Sequence, residues 1–142
     1  MHEKDTEEMF SELRKDEDIR DFLSRNEKEF CLPLNEYLGQ LLEAKHLEKR
    51  QVVRESLLER TYGYHIFSGT KPNPSRTKLL PIALAMHLDL AETQKLLRYA
   101  GVGMLYPRNP WDSVIISAIQ QGLSVKETNT LLSQLGEKLM LG

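Results

Sequence analysis

Two stretches of this chain, LDLAETQKLLRYAG at 88–101 and LSVKETNTLLSQLG at 123–136, align without a gap, 35 residues apart. Leu, Glu-Thr, Leu-Leu and Gly recur at the same places in both. Each copy opens with a capping box, Asp89 with Glu92 and Ser124 with Glu127: the first side chain takes an N–H three residues on, and the glutamate reaches back to the cap's own N–H. Each closes on a glycine, Gly101 or Gly136, the residue best suited to a left-handed helix stop. Upstream, Ile82-Ala83-Leu84 is loosely echoed by Ser117-Ala118-Ile119, so the pattern predicts two successive helical hairpins joined by GVGMLYPRNPWD (101–112). Two copies make a local duplication or a convergent helix-pair pattern, not a solenoid. The second hairpin, 111–135, carries too few apolar residues to stand alone. It is predicted to pack on the first, with Trp111, Tyr106 and Met104 at the join.

The remaining periodicity is also helical. After the break at Pro33, Leu34, Leu38, Leu41 and Leu42, with Tyr37, form the stripe of a helix over 34–45, with Lys45 and His46 in its last turn. Ahead of it, the spacing of Ile19, Phe22 and Leu23 predicts a short amphipathic helix over 17–29 after a mobile start. That acidic leader reads as a solvated tail with a docked helix, or as an arm that contacts a partner or masks a basic surface. Further on, Ser75 is placed to cap a helix carrying Leu79, Leu80, Ile82, Ala83 and Met86, and Pro81 is expected to kink it or delay its start.

Several function classes are excluded on composition. No apolar run approaches the ~20 residues of a membrane span. The single cysteine, Cys31, cannot form an internal disulfide, which fits a cytoplasmic protein; flanked by Phe30 and Leu32, it is expected to be a packed thiol. Four histidines, at 2, 46, 65 and 87, show no metal-ligand spacing,. There is no glycine-rich phosphate loop, and the carboxylates fall in caps and in the acidic leader. The expectation is therefore no metal, no cofactor and no enzyme activity.

The net charge of −2 hides a sharp segregation. Residues 1–33 carry six Lys/Arg against eleven Asp/Glu, whereas 45–78 carry eight against three. Within that basic block, Leu47 to Leu80 reads as a short helix (Lys49 to Ser56), a turn at Leu57–Glu59, a second helix (Arg60 to Ser68), a stop at Gly69 and a loop, KPNPS. That is the layout of a helix-turn-helix, whose second helix enters the DNA major groove. Val52 and Val53 face the core from the first of these helices; Leu58, Ile66 and Phe67 do so around the second. This leaves Arg60, Thr61, Tyr64 and His65 outward: Arg60 for guanine O6/N7, Thr61 and His65 for a base edge or phosphate. Lys49 opens its helix where a phosphate suits, and Lys71, Arg76 and Lys78 are placed to clamp the backbone.

On these residues the chain resembles the Xre or lambda-repressor-like (Cro-type) helix-turn-helix regulators. The likeness is carried by Gln51-Val52-Val53, Arg60 to Ile66, Gly69, Asn73-Pro74-Ser75 and Leu79-Leu80, and covers about 34–93. It implies an all-α, lambda-repressor-like bundle with a five-helix DNA-binding domain. It also implies a bacterial regulator, and DNA contacts at Lys49, Arg60, Thr61, His65 and Ser68. The chain departs from the family at Leu57, where glycine is usual, at Glu59, where Ser or Thr is usual, and at Gly63, where a β-branched core residue is usual and a small hole is expected. The organisation expected is an acidic leader with a helix (1–33), the helix-turn-helix domain (34–101) and a C-terminal helical hairpin packed on it (102–142). The partner expected is double-stranded DNA, bound by a homodimer at a palindromic site. The alternative is a helical adaptor that keeps the fold without specific DNA binding. It would bind a protein through the acidic leader or the C-terminal hairpin, with Tyr62-Gly63-Tyr64 as a surface patch.

Overall fold

Nine α-helices and one 3₁₀ turn make up all the regular structure among the described residues, 4–15 and 18–140 of this computed structural model. Residues 1–3 of the expected mobile start, residue 17 at the start of the predicted leader helix, and residues 141–142 of the predicted hairpin region lie outside the described residues. No helix among the described residues is long and apolar enough to cross a membrane. The chain divides into two units, 1–32 and 33–142.

In the first unit, α1 (Thr6–Lys15) forms where a mobile start is expected; Glu7 and Glu8 in its first turn and Arg14 and Lys15 in its last complement the helix dipole,. Asp18 caps α2 (Ile19–Arg25) by accepting from the Arg20 N–H. This helix stops four residues short of the predicted end, and a 3₁₀ turn (Glu27–Glu29) follows. The reason is Asn26, fully buried, whose amide donates to the Phe22 carbonyl and whose Oδ1 accepts from Lys4 Nζ at 2.6 Å. Lys4 also pairs with Glu12 at 2.9 Å, and Glu12 with Arg25 at 3.1 Å. The hydrogen bond from Lys4 is the main cause that holds the Glu12 carboxyl below its ordinary range. Phe22 is buried against the edge of Phe30, while Phe10, Leu13, Ile19, Leu23 and Phe30 stay exposed. Cys31 is exposed too, contrary to the packed thiol expected, because its neighbour Phe30 does not enclose it.

The second unit holds α3 (Leu34–Ala44), α4 (Lys49–Ser56), α5 (Arg60–Ser68), α6 (Arg76–Ala85), α7 (Leu90–Tyr99), α8 (Pro110–Gln121) and α9 (Val125–Gln134). Its axis is α6: every residue from Leu79 to Met86 is buried, and α4, α7 and α9 pack around it. A helix apolar on all sides belongs in the middle of a bundle. Pro81 does not delay this helix, which already begins at Arg76. At the sixth position its missing N–H leaves unpaired only the Thr77 carbonyl, in the first turn. Ser75 stands at the cap position, yet its hydroxyl pairs with Thr77 Oγ1 at 3.1 Å and makes no bond to a backbone N–H.

Both predicted capping boxes form, with all four hydrogen bonds between 2.8 and 3.1 Å. Gly101 and Gly136 are left-handed at φ 71° and 72°. Past each, the chain turns back to bond five residues upstream: Val102 N to Leu97 O at 3.1 Å, Glu137 N to Leu132 O at 2.9 Å. The likeness reaches further upstream than the sequence alone reveals. His87 (φ 56°) and Gly122 (φ 69°) end α6 and α8 in the same way, with Leu88 bonding Ala83 and Leu123 bonding Ala118. His46 (φ 55°) ends α3 likewise, so it lies past the last turn rather than in it. Lys45 pairs with Glu92 at 3.0 Å. At the join between the hairpins the buried residue is Leu105, its backbone held at both ends by the Gln94 amide. Met104 and Tyr106 are exposed, because in this non-helical stretch residues on either side of Leu105 face the other way,.

Candidate nucleic-acid interface

The α4–α5 connection is built from three residues. Leu57, at φ 60°, ends α4; Leu58 is buried; Glu59 starts α5. A leucine in the left-handed region is disfavoured by roughly 1–2 kcal/mol. Ser56, fully buried, steadies the turn by donating to the Val53 carbonyl at 2.6 Å and accepting from the Leu58 N–H at 3.3 Å. Glu59 caps α5 with both carboxylate oxygens, accepting from the Thr61 N–H at 3.1 Å and the Tyr62 N–H at 2.8 Å. These backbone bonds, Tyr62 first, hold its carboxyl below the ordinary value. At Gly63 there is no hole. An added Cβ would lie 2.8 Å from Val53 Cγ1, so the glycine lets α4 and α5 approach closely.

Burial of Gly63, Ile66 and Phe67 turns the other face of α5 outward. Arg60, Thr61 and Ser68 are exposed and Tyr64 and His65 half-buried, all on that face. The Arg60 guanidinium sits over the Tyr64 ring at 5.8 Å. The exposed Ser68 hydroxyl donates to the His65 carbonyl and shares a 2.9 Å bond with the Thr70 hydroxyl. Lys49 is exposed at the start of α4. Lys71 is exposed after α5, and its ammonium and that of Lys78 lie 5.9 and 5.7 Å from the Tyr62 ring. The Arg76 guanidinium is engaged by another helix. It forms an ion pair with buried Asp112, on α8, and lies 5.7 Å over Trp111.

Two arginines missing from the sequence-based set join the face. Arg50 and Arg54, one turn apart on α4, line a cleft of about 450 Å³ with Arg60 and Tyr64, floored by Val53 and Leu58. Their i, i+4 spacing inside the basic block is the signal that marks them in the sequence. Lys49, Arg54, Arg60, Lys71 and Lys78 make no ion pair among the described residues, and Arg50 makes only an exposed 3.8 Å contact with Glu48. Positive charge with no carboxylate partner, spread over α4, α5, the loop after α5 and Lys78 of α6 and set beside the Tyr62 and Tyr64 rings, suits an extended polyanion,. Among the described residues no group of His, Cys, Asp and Glu is arranged to hold a metal ion. Compared with known protein families, curated proteins and solved structures, the chain matches none.

Proposed function

We propose that this chain is a DNA-binding transcriptional regulator of the Xre or lambda-repressor-like helix-turn-helix type, acting as a homodimer and reading the major groove with α5. The observation that carries the reading is the unpaired cationic face of α4 and α5. In this reading α5, nine residues and roughly 13 Å long, presents Arg60, Thr61, Tyr64 and His65 to base edges,. Arg50 and Arg54 line the adjacent cleft for one phosphate strand, and Lys49 and Lys71 take flanking phosphates. Glu59 is consistent with this role because its charge is used at the helix start, on two backbone N–H groups.

Fluorescence anisotropy with labelled duplex from the gene's own upstream region tests it. Affinity is expected to fall by about 10³ or more between roughly 50 and 200 mM salt. Arg60→Ala is expected to remove about 1–3 kcal/mol of discrimination between the preferred and a scrambled duplex. Absence of duplex binding, or binding indifferent to salt, sinks the proposal. A second reading, an adaptor that binds a protein partner without specific DNA recognition, is favoured by the exposed Phe10, Leu13, Ile19, Leu23 and Phe30 of the first unit. A variant with Arg50, Arg54 and Arg60 changed to Ala separates the two, since it loses duplex binding only.

A further inference from the structure

α1 has ten residues and buries none of them. A helix shorter than about 12–15 residues is marginal in water unless it packs on something. One side of α1 is held within its own unit: Glu12 pairs with Lys4 at 2.9 Å and with Arg25 at 3.1 Å. Phe10, two positions earlier, lies roughly 200° around the helix from Glu12. Phe10 is 51% and Leu13 41% exposed, and their spacing puts them on one side,. Glu7 and Arg14 share that side with Phe10, at i, i+3 and i+7, and both are exposed,. Neither has an ion-pair partner among the described residues. The free face therefore reads acid, two apolar side chains, base, along a helix about 15 Å long,.

That order is its own complement. Glu7 and Arg14 are equidistant from a point between Phe10 and Ser11. A two-fold axis through that point lays the α1 of a second copy antiparallel to the first and sets Glu7 of each against Arg14 of the other. Phe10 of each copy then lies beside the axis, flanked by Leu13 of the other. The helix dipoles oppose, and every contact of i with j is repeated as j with i, as a closed two-fold interface requires. We infer that this face of α1 is a homodimer surface, its occupant the same face of a second copy. A partner of one sign of charge satisfies only one end of the face; a second copy satisfies both. Two helices of this length bury well under the ~800 Å² per partner of a standard interface, so the dimer is weak, with a dissociation constant on the order of 10–100 µM. The surface supplies the contact between copies that the DNA-binding reading invokes, and does not rest on that reading, since α1 is no part of the α4–α5 face.

Sedimentation equilibrium of the full chain without DNA, over roughly 5 to 300 µM, tests this directly. The mass is expected to rise from one chain toward two. Phe10→Ser, at an exposed position, is expected to weaken association about thirtyfold. Glu7→Lys and Arg14→Glu are each expected to weaken it about tenfold, because each sets like charges against one another at both ends of the pair. A mixture of those two variant chains restores opposite charges at both ends and is expected to return to within about threefold of the parent affinity. A melted helix gives no such rescue. Circular dichroism checks the helix in each variant; should either charge variant lose it, the parent chain and Phe10→Ser remain the readout. A parent chain that stays monomeric, a dimer that Phe10→Ser leaves unchanged, or folded charge variants that do not recover on mixing overturn the inference. Duplex binding by a monomeric chain sinks this surface and leaves the α4–α5 interface standing; a dimer that binds no duplex does the reverse.

Discussion

The α6–α7 and α8–α9 hairpins share one backbone script and differ in where that script is placed. Caps, left-handed stops and turn-back bonds recur 35 residues apart, with hydrogen-bond lengths that agree within about 0.3 Å. Burial recurs only in part: Leu80 and Ile115, Thr93 and Thr128, and Leu97 and Leu132 are fully buried alike, and other counterparts differ. Met86 is buried and Gln121, its counterpart, is exposed; Leu96 is fully buried and Leu131 only half-buried. The left-handed residue between the helices is His87 in one hairpin and Gly122 in the other. Local hydrogen bonding thus specifies a hairpin in either setting, while position in the bundle decides how much each side chain is worth.

The largest expected departure from equivalence is in the core. Leu96→Ala should cost about 3 kcal/mol in urea unfolding followed by Trp111 emission, and Leu131→Ala about 1 kcal/mol. Equal costs would show that the second hairpin is as central as the first. Next come the left-handed positions. Gly122→Ala should cost about 1–2 kcal/mol, whereas His87→Gly should stay within about 0.5 kcal/mol of the parent, relief of strain being offset by a more flexible unfolded chain. The caps should behave alike, Asp89→Ala and Ser124→Ala each losing about 1 kcal/mol.

The smallest effect is on acid stability. The Ser124 N–H holds the Glu127 carboxyl below its ordinary value of 4.5. A depressed folded value means the stabilisation is present above that ordinary value and is lost as pH falls through the lower, folded one. Glu127→Gln should flatten that acid limb in urea midpoints and leave the midpoint near neutral pH almost unchanged.

Much of the α5 face was legible from periodicity alone. Ile66 and Phe67 are apolar neighbours on a nine-residue helix, so the side bearing Arg60, Thr61, Tyr64 and His65 had to face out,. What stayed hidden was whatever depends on a residue far along the chain. Arg76 reads as a loop cation until Asp112, 36 positions later, captures it. Gly63 reads as a void until Val53 is seen against it. Leu105 and Trp111 could not be ranked as packing residues without the partners Gln94 and Lys138. At α1, polar residues with only Met9, Phe10 and Leu13 among them give a weak signal, and the pin that accompanies it runs from Lys4 to Asn26.

By itself the sequence determined the helical class, the paired capping boxes, the glycine stops and the segregation of charge, because each depends on groups within about four residues or on composition. Only the tertiary structure decided which hairpin lies at the centre, which cations remain unpaired and where a cavity opens. Those depend on side chains brought together across the fold, where burial and ion pairing are settled by neighbours that the local pattern does not name.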